Sequence, residues 1–174
     1  MSTVAKQATE IAVNTVQKSV TYIANTMFQV FIRITSERHL GPGYITQNRE
    51  IIENGLFVWL AEQTLEWACL EVFCPGIDQA LERWDFQFSY VHTVQTELDR
   101  PPINGMTELC QKLRSLPTHA KYRIVVTTAR GATEVPGWSP TKLRDLDESE
   151  SQELEAWGYG NVSVKLTYKG GGKA

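Results

Sequence analysis

From Val16 onward, apolar residues return at Val20, Ile23, Met27, Val30 and Ile34, in steps of four and three. That spacing puts them on one stripe and predicts a long helix laid on a core. Asn14 or Thr15 would cap its start by accepting from the first free backbone N–H groups. Before the cap, Ile11 and Val13 alternate with polar residues among β-branched neighbours, so a short strand or arm and another helical turn both fit. Gly41, Pro42 and Gly43 break the chain. A second helix is predicted over 46–63, burying Ile52, Leu56 and Trp59, and Gly55 inside it leaves room for close packing.

The periodicity then changes. Leu65–Phe73 is apolar on both strand faces except at Glu66 and Glu71, the pattern of a central strand covered on both sides. Pro75 and Gly76 end it. Trp84, Phe86, Phe88 and Tyr90 alternate with Asp85, Gln87 and Ser89, which predicts a second strand, antiparallel to the first, with its aromatics inward. After Pro101 and Pro102, a third helix carries Met106, Leu109, Cys110, Leu113 and Leu116 on one face and stops at Pro117. A third strand follows at Lys121–Thr128. The order predicts an α+β fold, a sheet with helices on one face.

After Tyr122, Ile124 and Val126, about 30 residues pass before alternation resumes at Val162, Val164, Leu166 and Tyr168. A connection that long is a disordered segment or a functional strap. Pro136, Gly137, Trp138, Leu143, Leu146, Leu154 and Trp157 argue for a strap. It delivers a strand that must find a sheet edge, which suggests capture of something extended, such as a peptide. Trp138 and Trp157 either pin it to the body or meet a partner.

Composition narrows the classes. At 174 residues and 42% hydrophobic content, one domain with one core is expected. A net charge of −3 without a basic cluster speaks against nucleic acid and anionic membrane as partners. No stretch is apolar enough to span a bilayer, and 1–10 is polar rather than a signal core. Cys69, Cys74 and Cys110 are an odd number in apolar stretches, which fits buried thiols in a reducing cytosol. Residues 170–174 form a loose, glycine-rich end.

Enzymatic signatures are not found. His39, His92 and His119 stand singly, without the spacing of a metal helix. Cys69 and Cys74 fall on opposite strand faces, and neither Gly41–Gly43 nor Gly170–Gly172 is a phosphate cradle. Asp145, Asp147, Glu148, Glu150, Glu153 and Glu155 form an acidic run that suits a solvated face keeping the strap soluble; acid–base work or cation binding is the rival enzymatic reading. No catalytic residue, metal or cofactor is expected.

The stretches Tyr122-Arg123-Ile124-Val125-Val126, Val135-Pro136-Gly137-Trp138-Ser139-Pro140-Thr141 with Leu143-Arg144, Arg83-Trp84-Asp85-Phe86 and Val20-Thr21-Tyr22 resemble the bacterial HORMA-domain proteins of CBASS antiphage signalling operons. The resemblance covers essentially the whole chain. It implies a single HORMA domain over 1–174: an N-terminal arm (1–14), a core (15–129), and a mobile C-terminal safety belt with its terminal strand (130–174). A central antiparallel sheet would be backed by three helices.

On that resemblance the chain is a peptide-binding regulator and not an enzyme. Tyr122, Arg123, Ile124, Val125 and Val126 would form the peptide-facing edge, with Trp138 and Leu143 in the belt crossing over a captured closure-motif peptide. Val162, Val164, Leu166 and Tyr168 would dock beside Trp84, Phe86 and Phe88. Once closed, the protein would bind and activate a cGAS-like nucleotidyltransferase. A TRIP-type AAA+ ATPase would reopen it by pulling on 1–14. A second HORMA protein of the same operon is a further implied partner, and a constitutively closed adaptor without peptide exchange is the alternative.

Overall fold

The computed structural model describes residues 2–95, 99–147 and 150–171, with backbone alone for 2–15 and 92–95. The side chain of His92, Glu148 in the acidic run and residues 172–174 of the glycine-rich end lie outside the described residues.

Helix α1 spans Ser2–Glu37 without a break at Asn14 or Thr15. The expected cap is therefore not formed, and residues 2–14, read as an arm, continue the helix. This segment holds three alanines, the best helix former, and no Gly or Pro, so each added residue extends the ladder by one hydrogen bond. Val20, Ile23, Met27, Val30, Phe31 and Ile34 are buried along its stripe. The second predicted helix is two pieces, α2 (Gly43–Gln47) and α3 (Arg49–Ala61). Asn48, at φ −103° and ψ 20°, separates them, and its side-chain amide donates to the Tyr44 carbonyl at 2.8 Å beside its own N–H at 3.1 Å.

Strands β1 (Leu65–Phe73) and β2 (Gln79–Gln95) pair antiparallel, β2 running well past the predicted 84–90 at both ends. Helix α4 (Ile103–Lys112) ends before Leu116 because Leu113 already has extended backbone, although its side chain stays buried. Strand β3 is Lys121–Thr128. The segment read as a bare strap holds two short strands, β4 (Asp145–Leu146) and β5 (Glu150–Glu153), and the last strand, β6 (Trp157–Gly170), starts earlier than expected. Trp157 is thus a strand residue, 1% exposed against Phe86 with ring centres 6.2 Å apart.

The sheet runs in the order β3-β1-β2-β6-β5, and β4 pairs parallel with the start of β2. Among the described residues, helices cover one face only. Into that face point Ala68, Leu70 and Val72 of β1, Trp84, Phe86 and Phe88 of β2, and Val162, Val164, Leu166 and Tyr168 of β6. Edge-on rings knit the layers, Phe31 on Phe86 at 5.3 Å and Trp84 on Tyr168 at 5.0 Å. Arg38, just past α1, holds the buried Glu82 of β2 through two hydrogen bonds of 2.9 and 2.8 Å.

Candidate functional site

Strand β3 is paired on one side only. Tyr122, Arg123, Ile124, Val125 and Val126 lie opposite Val72, Glu71, Leu70, Cys69 and Ala68 of β1, and no strand lies on the far side of β3 among the described residues. Its side chains alternate: Tyr122, Ile124 and Val126 pack half-buried against the helix-side core, while Arg123 and Val125 face the other way. The Tyr122 hydroxyl donates to the Gly41 carbonyl at 2.9 Å, and its ring meets Tyr44 edge-on at 6.1 Å.

The chain leaving β3 runs first along α3. Ala129 N–H donates to the Thr64 carbonyl at 2.7 Å, and the Trp59 indole donates to the Thr133 carbonyl at 2.8 Å. The hydroxyl and N–H of Thr133 bond the Glu62 carboxylate and hold its pKa below the usual carboxylate range. Trp138 then lies on α3: its indole donates to the Ile51 carbonyl at 3.1 Å and its ring stands edge-on to Trp59 at 5.1 Å. This contact exists because position 55 is glycine; a β-carbon there would sit 2.5 Å from the Trp138 indole nitrogen.

Within a few residues the same segment is on the opposite face of the sheet. Arg123 donates to the Thr141 hydroxyl at 2.9 Å and to the Lys142 carbonyl, and the Arg144 N–H donates to Glu71 at 3.0 Å. The Arg144 guanidinium stacks 3.7 Å over the Phe73 ring. Glu71 alternates with Leu70 and Val72, so it belongs to the face away from the helices. The segment therefore passes around the unpaired edge of β3, fencing it without pairing with it. The described backbone hydrogen bonds from 129–146 run to Thr64, within the segment and to β2, and none to β3.

On the other side of the sheet, β6 pairs with β2 in the register Tyr168–Trp84, Leu166–Phe86, Val164–Phe88 and Val162–Tyr90. The two groups of candidate residues are thus separated by β1: Tyr122, Arg123, Ile124, Val125 and Val126 line one edge, with Trp138 fixed to α3 beside it and Leu143 exposed. Val162, Val164, Leu166 and Tyr168 join Trp84, Phe86 and Phe88 in the buried sheet. Glu71, Gly55, Trp59, Thr141 and Arg144 complete the geometry of the crossing. Of these, Glu71 carried a signal as a carboxylate inside an apolar strand and Gly55 and Trp59 as close-packing positions of the second predicted helix, while Thr141 and Arg144 fall in the stretches that carry the resemblance.

No group of His, Cys, Asp or Glu among the described residues is arranged to hold a metal ion. The cysteines are free and buried, and burial pushes the Cys110 thiol up to about 12 and the Cys69 thiol higher still, so neither is a thiolate at neutral pH. No described helix is long and apolar enough to cross a membrane.

Residues 8–168 match the family model described as Bacterial HORMA domain 2. The chain belongs to the bacterial HORMA family. No curated protein matches it. Solved structures show the same HORMA fold at low identity. A chain of the mitotic checkpoint complex superposes with a TM-score of 0.73 at 14% identity, over 88% of this chain and 95% of that one. C. elegans HTP-1 bound to HTP-3 motif-1 gives 0.72 at 12%, over 87% and 89%. The E. coli MS115-1 CdnC:HORMA-deltaN complex gives 0.63 at 12%, over 90% and 89%. The α+β HORMA architecture expected from the resemblance is the one observed, with, among the described residues, four helical segments instead of three and one parallel pair, β2–β4, in an otherwise antiparallel sheet. The crossing segment lies within 130–174, the stretch the resemblance assigns to a belt.

Proposed function

We propose that this HORMA protein captures an extended closure-motif peptide as an added strand on β3, beneath the belt, and that the closed form binds and activates a cGAS-like nucleotidyltransferase in antiphage defence. An AAA+ ATPase engaging the N-terminal residues of α1 reopens it. The observation that carries this reading is the eight-residue β3, unpaired on its outer edge and enclosed by a belt that does not pair with it. Two similar folds lend support by what they hold, HTP-1 a motif of HTP-3 and the E. coli HORMA its CdnC.

Energetics explain the enclosure. A peptide on this edge gains about four to six backbone hydrogen bonds of about 0.5–1.5 kcal/mol each, against an association cost of about 4–15 kcal/mol. Side-chain contacts and the belt must supply the rest. A belt that has to unfold locally before release makes dissociation slow, which is where a motor becomes useful.

A second reading, a constitutively closed adaptor or accessory HORMA partner, draws on the belt's anchors on both faces, at Trp138 and at Arg144. Mass spectrometry of the protein purified with and without its ATPase and ATP separates the two. Peptides that co-purify and are lost on ATPase treatment are expected. A closed protein that activates the synthase but yields no peptide under either condition refutes capture and leaves the adaptor.

A further inference from the structure

Glu71 lies in mid-β1 on the helix-free face and is fully buried. A buried carboxylate is tolerated only when hydrogen-bonded and paired. Half of its partners come from the sheet: Arg123, directly opposite on β3, donates through Nε at 3.0 Å and Nη2 at 2.9 Å. The other half come from the belt, as the Arg144 N–H at 3.0 Å and the Arg144 guanidinium, whose Nη1 stands 3.7 Å from Oε1. Arg123 in turn reaches the belt at Thr141 and Lys142. Arg83, opposite Glu71 on β2, holds Asp85 at 2.7 Å.

We propose that Glu71 is a positioning residue for the belt: with Arg123 and Arg144 it forms a charge latch that seats residues 141–146 across the edge of β3. With the belt lifted, Glu71 loses its Arg144 contacts and keeps Arg123, and Arg123 loses its acceptors at Thr141 and Lys142. The crossing therefore has one favoured seat, and leaving it breaks the belt's contacts together. The latch rests on the peptide-capture reading only for its consequence, that a seated belt retains what lies beneath it.

Hydrogen exchange on the full chain without added peptide tests the latch directly. In Arg144→Gln, amides of 139–146 are expected to exchange roughly 10- to 100-fold faster while β1, β2 and β6 keep their rates. Glu71→Gln, which keeps the shape and an acceptor but removes the charge, should do the same. Arg144→Lys should restore part of the protection, since it returns charge without the planar fork and the ring stack. The double variant should accelerate exchange by less than the product of the two single effects, because the Glu71–Arg144 pair is common to both while the Phe73 stack belongs to Arg144 alone and the Arg123 pair to Glu71 alone. Unchanged rates at 139–146, acceleration spread evenly through the sheet, or additive effects would each overturn the latch. If Glu71→Gln does not fold, Arg144→Gln, whose side chain is 21% exposed on the belt, still decides. Accelerated exchange in a protein that never retains a peptide would sink the capture reading and leave the latch standing.

Discussion

Replacing Gly55 with alanine sets two effects of opposite sign against each other, one in the body and one in the belt. Gly55 is a buried interior residue of α3, where alanine is ordinarily better by about 1 kcal/mol because glycine has more backbone freedom to lose. Here the added methyl would stand 2.5 Å from Nε1 and 2.9 Å from Cε2 of Trp138, and 3.0 Å from the Trp59 ring. Non-bonded heavy atoms rest at about 3.5–4.0 Å, so the Trp138 indole must withdraw by about 1 Å. That breaks its 3.1 Å hydrogen bond to Ile51 and its edge-on contact with Trp59. The first is worth about 1 kcal/mol and the second about 0.5–1.5 kcal/mol.

The belt thus loses about 2 kcal/mol of docking while the helix gains up to about 1 kcal/mol. Exchange of amides in 133–140 should quicken by roughly 30-fold, at about 1.4 kcal/mol per tenfold. The net loss of about 1 kcal/mol should lower the midpoint of global thermal unfolding by about 2–4 °C. Trp138→Ala supplies the control, since it frees the same segment without the helix gain. Unchanged exchange in 133–140 of Gly55→Ala would refute the claim that close approach at this glycine holds the belt. A midpoint lowered by many degrees would show that the helix and the belt cannot be treated separately.

Further outcomes follow from burial and charge. Val164→Asp with Leu166→Asp places two carboxylates on fully buried positions of β6, so the strand should leave β2 and the belt should become open to proteases; unchanged protection would contradict its docking by burial. Gly160 has φ +64°, and a β-carbon would fall 2.5 Å from that of Ser19, so Gly160→Ala should cost about 1–3 kcal/mol by urea unfolding, and a neutral result would show that α1 need not approach β6 so closely. The thiols give a pH dependence. Their folded pKa values lie above the unfolded value near 8.5, so their contribution is complete below it and lost as pH rises toward the folded values. At pH 9.5, below the range where Tyr90 and Tyr168 add to the effect, each should remove about 1.4 kcal/mol relative to pH 7. Urea unfolding of wild type against Cys69→Ala/Cys110→Ala checks this, and equal slopes would refute it.

What could be read from the chain depended on whether the cause was local. The bounds of β1 and the start of α4 follow from punctuation by Pro75-Gly76 and Pro101-Pro102, and the inward face of β2 from strict alternation of aromatics. Ahead of Asn14 the β-branched alternation at Ile11 and Val13 fits an arm and a further helical turn alike, and α1 takes the helical course. Strands β4 and β5 carry no local signal: Asp145–Leu146 is too short to alternate, and Glu150–Glu153 is polar on both faces. They exist because β2 and β6 present edges to them. The crossing was legible only by halves. Glu71 stood out in an apolar run, but its partners Arg123 and Arg144 lie 52 and 73 positions along the chain, and no pattern within a strand records them.

The two edges of the sheet are treated differently, and that asymmetry is an argument about function in its own right. Strand β5 closes one side with four residues, Glu-Ser-Gln-Glu, whose shortness and charge discourage further pairing. Strand β3 closes the other with eight residues rich in β-branched side chains, a length and composition that invite it. Had open pairing been harmful and nothing more, a blunted strand like β5 would have sufficed on both sides. Instead β3 keeps its pairing capacity, and the belt passes around it, anchored at Trp138 on the helix side and at Glu71 on the other. On the proposed reading, a fence of that kind would keep a second folded copy from stacking edge to edge while leaving the backbone groups of β3 to a single strand. That is the selectivity a module for one extended peptide requires.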